Sequence, residues 1–210
     1  RGTENTMDVS MLPGQMQEPM QMVYQDVCSL RMKVGLFIQV YGESTQQVDL
    51  LNRIAALFFR VCQDAQFHDI VLCLCRLSEK SRSQGRTNLS LQFLVENVDR
   101  ERYGQLRCLL DEKIEDLVAM TRELRQYRNR LIAHRDLETA RGAEPLPELV
   151  MSRVTGATER VEDLFYLVLE HFYPDVEFAR GVFGLVGDGT SLIKALEDAE
   201  RYRLLRRRRA

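Results

Sequence analysis

The residues best suited to chemistry lie in one segment, Tyr127-Arg128-Asn129-Arg130-Leu131-Ile132-Ala133-His134-Arg135-Asp136. An imidazole titrates near neutral pH, so His134 can take a proton from an attacking hydroxyl or return one to a leaving oxygen. A guanidinium stabilises charge building on a phosphoryl oxygen. RNA carries its own nucleophile, the 2′-hydroxyl, so its cleavage needs only a base, an acid and an oxyanion stabiliser. Between 122 and 135 lie Arg122, Arg125, Arg128, Arg130 and Arg135 against one acid, Glu123, a balance that suits an anionic substrate. The same side chains also have a plainer use. His134 can hydrogen-bond a helix terminus or a nearby carboxylate, and Arg128 can pair with Asp136 or with a neighbouring helix.

The element that must carry these groups is a long helix. Leu106, Leu110, Leu117, Met120, Leu124, Tyr127, Leu131 and His134 recur at steps of three or four residues, or multiples of them. At about 100° per residue from Leu124, the apolar stripe centres near 330°, with Arg128 at about 40° and His134 at about 280°. Along one straight helix Arg128 and His134 are then about 9 Å apart in rise and about 120° apart in azimuth, too far to grip one phosphate together. Two arrangements resolve this. The helix breaks near Ala133, or two copies of this face pack about a two-fold axis, so that the arginine of one meets the histidine of the other.

No Gly or Pro interrupts residues 105–141, and 37 helical residues would span about 55 Å, so a break is expected inside them. Further helices are expected at 20–40, from Ser44 or Thr45 to about 64, at 66–80, at 89–98 with Asn88 as cap, at 148–172, around 175–185 and at 191–208. Residues 81–88 and 142–147 read as loops. The Gly-rich run 181–190 lacks the Lys-Ser/Thr of a P-loop and reads as a helix–helix connection. The expected fold is all-α, a single-domain bundle of about seven or eight helices. Residues 1–19 read as a flexible arm whose methionines plug a groove, and 20–210 as the helical domain with a basic C-terminal helix. Residues 1–6 read as a cloning remnant or misplaced start, with Met7 or Met11 as the natural start.

Composition narrows the function classes. The 29 Lys+Arg balance 31 Asp+Glu, for a net charge of −2, which argues against broad coating of nucleic acid and leaves only local basic patches. Four of the cations are Lys and the rest Arg, and Arg offers phosphate a bidentate fork. No apolar run has the roughly 18 to 20 residues that span a bilayer, and the first thirty residues hold no compact apolar stretch, so a cytoplasmic protein with no secretory signal and no membrane partner is expected. The five Cys are scattered without zinc or redox spacing; no metal and no cofactor is expected.

Arg128, polar Asn129, four residues and then His134 resembles the Arg–polar–x4-6–His motif of the HEPN superfamily. The wider phrase YRNRLIAHRD is similar to the abortive-infection branch. Two further stretches add to the likeness: Asp69–Leu72 through Cys75–Ser78 followed by Asn88–Leu91, and Asp188-Gly189-x-Ser191-Leu192-Ile193-x-Ala195-Leu196. Together they cover most of 65–200. The resemblance implies an all-helical fold, a homodimer with the motif facing across the interface, and metal-independent RNA cleavage in phage defence or toxin–antitoxin systems. It makes Arg128 the phosphate-binding arginine, His134 the general acid/base and Asn129 a supporting polar residue. Arg125, Arg130, Arg135 and Asp136 fall beside them on the substrate side. Toxins controlled by nucleotidyltransferase antitoxins usually carry Tyr two residues past the histidine; Asp136 stands there, so that control is not expected. The partners expected are a second copy, RNA, and an antitoxin or defence partner. Two other readings remain: a non-catalytic dimerisation module built on the same face, and a regulator that binds nucleic acid through the terminal arginines Arg201, Arg203 and Arg206–Arg209.

Overall fold

The computed structural model describes residues 7–133, 137–178 and 187–209. Within them the chain is all-α, with eight helices, one π-helical turn and a minimal hairpin. Helix α1 (Gly14–Tyr41) begins before the expected position 20. Met16 lies one turn ahead of Met20, on a stripe that continues through Val23, Val27, Leu30, Val34 and Phe37, all of them buried. The flexible arm is therefore corrected over its last residues. Pro19 forfeits one backbone bond inside the helix, but burying Met16 and Met20 returns about 1.5–3 kcal/mol each.

Helix α2 (Thr45–Leu77) replaces two expected helices, and Ser44 Oγ accepts the Gln47 N–H at its start, at 3.2 Å. Its break falls at Ala55 (φ −159°, ψ 68°), not near Ala65. That break shifts the helical phase. Phe59 turns inward, while Phe58 and Val61 are exposed. Strands β1 (Arg82–Ser83) and β2 (Arg86–Thr87) pair antiparallel across Gln84 and Gly85, whose φ values of 50° and 76° suit a type I′ turn. Helix α3 (Leu91–Glu96) is capped by Ser90, which accepts the Phe93 N–H at 3.3 Å. Asn88 instead donates to the Lys80 carbonyl at 2.9 Å and holds the hairpin closed.

The long helix divides. Helix α4 (Gly104–Met120) ends where Thr121 Oγ1 donates back to the Leu117 carbonyl at 2.8 Å, a side-chain bond that bends helices. Helix α5 (Arg122–Tyr127) follows, then a π-helical turn (Arg128–Ala133) and helix α6 (Leu137–Ala140). Helix α7 (Met151–Phe172) carries a dense buried stripe, Val154, Ala157, Val161, Leu164, Phe165, Val168 and Leu169. The helix expected around 175–185 does not form over 175–178, and 179–186 lie outside the described residues. Helix α8 (Gly189–Arg209) closes the chain. Among the described residues no helix is long and apolar enough to cross a membrane.

The chain forms two compact units: Arg1–Leu30 with Val71–Ala179, and Arg31–Ile70 with Arg180–Ala210. In the first, α4 packs on α7 and α3 on both, while the Tyr24 ring stacks on Phe165 with centroids 6.0 Å apart. Arg160 reaches Asp116 at 2.7 Å and Arg153 reaches Glu123 at 3.1 Å, fastening α7 to α4 and α5.

In the second unit Val40, Leu50, Leu51, Phe59 and Ile193 form the core. The Asp188-Gly189-x-Ser191 stretch has a local reason there. Asp188 Oδ1 accepts the Ser191 N–H at 2.9 Å and caps α8, and the Gly189 N–H donates to Gln39 Oε1 at 3.0 Å. A Cβ on Gly189 would lie 2.7 Å from Gln39 Cβ and 2.9 Å from Val40 Cγ2. Gly189→Ala is therefore expected to cost about 1–3 kcal/mol through overpacking. An unchanged urea midpoint would show that α1 and α8 separate freely at this point.

Candidate functional site

Arg128 opens the π-helical turn, immediately after α5. Its Nη1 donates to the Glu79 carboxylate in a short, charge-assisted bond, and its Nε donates to Asn129 Oδ1 at 3.0 Å. Both charged partners are half-buried, with side chains 20% and 32% exposed. Arg128 thus has a fixed fork, braced by a neighbour in sequence and by an acid that follows α2. A π turn spaces its hydrogen bonds five residues apart and so carries more residues per turn than an α-helix; such turns recur at functional sites.

The wider turn also changes the face. The buried stripe runs Leu106, Leu110, Ile114, Leu117 and Leu124, and then stops. Leu131, expected to continue it, is 37% exposed, because a seven-residue step returns to the same face only in regular α-helix. His134, Arg135 and Asp136 lie outside the described residues.

The arginine-rich patch is mostly committed within the protein. Arg125 Nη1 donates to Ser78 Oγ at 3.0 Å and to Thr121 Oγ1 at 2.8 Å, and its Nη2 donates to the Val118 carbonyl. Burial lowers its pKa from the ordinary guanidinium value, and the nearby Arg128 and Arg122 act in the same direction. Arg130 pairs with Glu144 at 2.8 Å. Arg122 is exposed and meets no carboxylate among the described residues. The local excess of positive charge read between 122 and 135 is thus offset by Glu79, 49 residues before Arg128, and by Glu144 in the loop that follows α6. Neither acid has a spacing signal that ties it to its arginine.

Beneath the patch, burial pushes the Cys75 thiol up to about 11, against the downward pull of Arg128 and Arg125. It stays a neutral thiol at physiological pH and is no nucleophile. Glu79 and Arg125 also line a cleft of about 850 Å³ that runs between the hairpin side and α4–α5.

The Glu79–Arg128 pair yields a direct prediction. Glu79→Ala leaves a half-buried guanidinium without its carboxylate. The expected cost is about 1–2 kcal/mol, between that of a surface pair and a buried one. A urea midpoint equal to that of the unsubstituted protein would show the pair to be incidental.

A family model described as AbiU2 (HEPN_AbiU2) matches residues 23–180, well over half of the chain. No curated protein matches the chain, and no solved structure does.

Proposed function

We propose, from the premise that the chain belongs to the AbiU2 family of HEPN abortive-infection proteins, that it is a metal-independent RNA endonuclease acting in the cytoplasm in phage defence. The observation that carries this reading is Arg128 at the head of a π turn, its guanidinium oriented by Glu79 and Asn129, with His134 six residues further along the chain. In the proposed reaction the 2′-hydroxyl attacks the adjacent phosphorus and the 5′-oxygen leaves. His134 takes the hydroxyl proton or protonates the leaving oxygen. Arg128 stabilises the charge on the non-bridging oxygens. The products are a 2′,3′-cyclic phosphate and a 5′-hydroxyl. Pairing of two copies supplies a second histidine, so that one can act as base and the other as acid; we propose a homodimer for that reason.

The experiment is cleavage of labelled single-stranded and transfer RNA in EDTA. Cleavage that leaves cyclic phosphate ends supports the reading, and intact RNA across a range of protein concentrations rejects it for the isolated protein. A second reading, a non-catalytic interaction module, has its own support. Arg128 and Arg130 are already satisfied by Glu79 and Glu144, as they would be in a purely structural role. An antitoxin or other defence partner would act on either form.

A further inference from the structure

The cleft of about 850 Å³ beside the Glu79–Arg128 pair has features that the proposed chemistry does not use. On α4 its wall sets the apolar side chains of Ile114, Val118 and Ala119 beside Asp111 and Glu115, and the apolar part is a surface on which a nucleobase can lie. Lys80 and Arg122 stand at its edge, both exposed, and neither meets a carboxylate among the described residues. Other charges of the lining are already used. Arg100 is held by Asp111 at 2.6 Å, and Arg125 by Ser78, Thr121 and Val118. Glu115 is the acid of the wall outside any ion pair among the described residues, so the uncommitted charge is two cations against one anion. Asn88 spends its amide N–H on the Lys80 carbonyl, which leaves its Oδ1 to accept from a ligand. The volume falls within the roughly 300–1,000 Å³ typical of small-ligand clefts, enough for one or two nucleotides.

From this arrangement we infer that the cleft seats single-stranded RNA next to the cut phosphodiester, with a base on the Ile114–Val118–Ala119 wall and flanking phosphates on Lys80 and Arg122. The inference rests on the proposed ribonuclease reading for its ligand. Its geometry follows from Glu79, which both lines the cleft and binds Arg128, so a strand whose phosphate lies at Arg128 continues into the cleft.

The test separates binding from cleavage. A labelled single-stranded RNA is titrated by anisotropy at several salt concentrations, with His134→Ala throughout so that it stays intact. Adding Lys80→Glu and Arg122→Glu is expected to weaken binding by about tenfold or more and to lower the salt slope by about 1.4, two phosphates at roughly 0.7 each. Both side chains are exposed, and an unshifted melting temperature confirms that the fold is kept. Arg206→Glu with Arg207→Glu, in the exposed end of α8, is the control and is expected to leave affinity and slope unchanged.

Equal affinity and slope with and without the cleft substitutions would overturn the inference. So would a loss confined to the α8 variant, which would move RNA to the terminal arginines. A cleft that saturates with a free mononucleotide, while oligonucleotide binding ignores Lys80 and Arg122, would also overturn it. A protein that never cuts RNA, yet loses binding through Lys80 and Arg122, would sink the ribonuclease reading and leave the cleft assignment standing.

Discussion

His134→Ala is expected to slow RNA cleavage about 10²–10⁴-fold while leaving RNA affinity within about twofold, because removing a general acid/base withdraws a proton transfer and not a binding contact. Arg128→Ala should cost a similar 10²–10³-fold in rate, the usual loss when one stabiliser of a developing oxyanion is removed. The two variants differ in a second readout. Arg128 is bonded to Glu79 and Asn129, so its loss also strands a half-buried carboxylate and lowers the urea midpoint. Arg128→Lys keeps the charge but not the planar fork, and is expected to recover stability better than rate. Equal cleavage by the unsubstituted protein and His134→Ala, purified identically, would point to a contaminant or another site. A large rate loss in Arg128→Ala with none in His134→Ala would reassign the chemistry away from the histidine.

Arg125→Ala is expected to produce the largest loss of stability among the arginines of the patch, about 2–3 kcal/mol, or a melting temperature lower by roughly 5–10 °C in a chain of this size. Sequence pattern puts Arg125 on the substrate side. In the fold its guanidinium joins Ser78, beyond the end of α2, to Thr121 and Val118 at the α4–α5 bend, and Ser78 and Thr121 are themselves buried. Charge-assisted bonds of this kind are worth about 1.5–3 kcal/mol, and alanine also gives up the packing of the side-chain stem. If Arg125→Ala melts with the unsubstituted protein and instead weakens RNA binding, the side chain is a ligand contact and the clasp is dispensable.

Helix starts show how far local pattern carries. Ser44 was legible as a cap because the bond it makes is three residues away. Asn88 has the residue type of a cap, but its amide reaches back to the Lys80 carbonyl and leaves the cap to Ser90. The start of α1 at Gly14 shows in sequence only as the apolar step from Met16 to Met20, in a stretch whose methionines also read as a flexible arm. The break in α2 at Ala55 has no Gly or Pro to announce it, and it decides that Phe59 is buried and Phe58 is not.

The same division holds at the candidate site. Periodicity alone determined that the chain is all-α, and residue type with spacing alone singled out Arg128 and His134, with Asn129 added by the HEPN resemblance, because helical repeats and short motifs are local properties of a chain. Tertiary structure decided that Arg128 meets Glu79, 49 residues away, and that Arg125 is an internal clasp. It also decided that a cleft opens beside them between the hairpin side and α4–α5. Those outcomes depend on which distant segments pack together and on what each buried polar group finds to satisfy it. A half-buried guanidinium takes its partner from whatever the fold brings within hydrogen-bonding reach, and no spacing along the sequence encodes that reach.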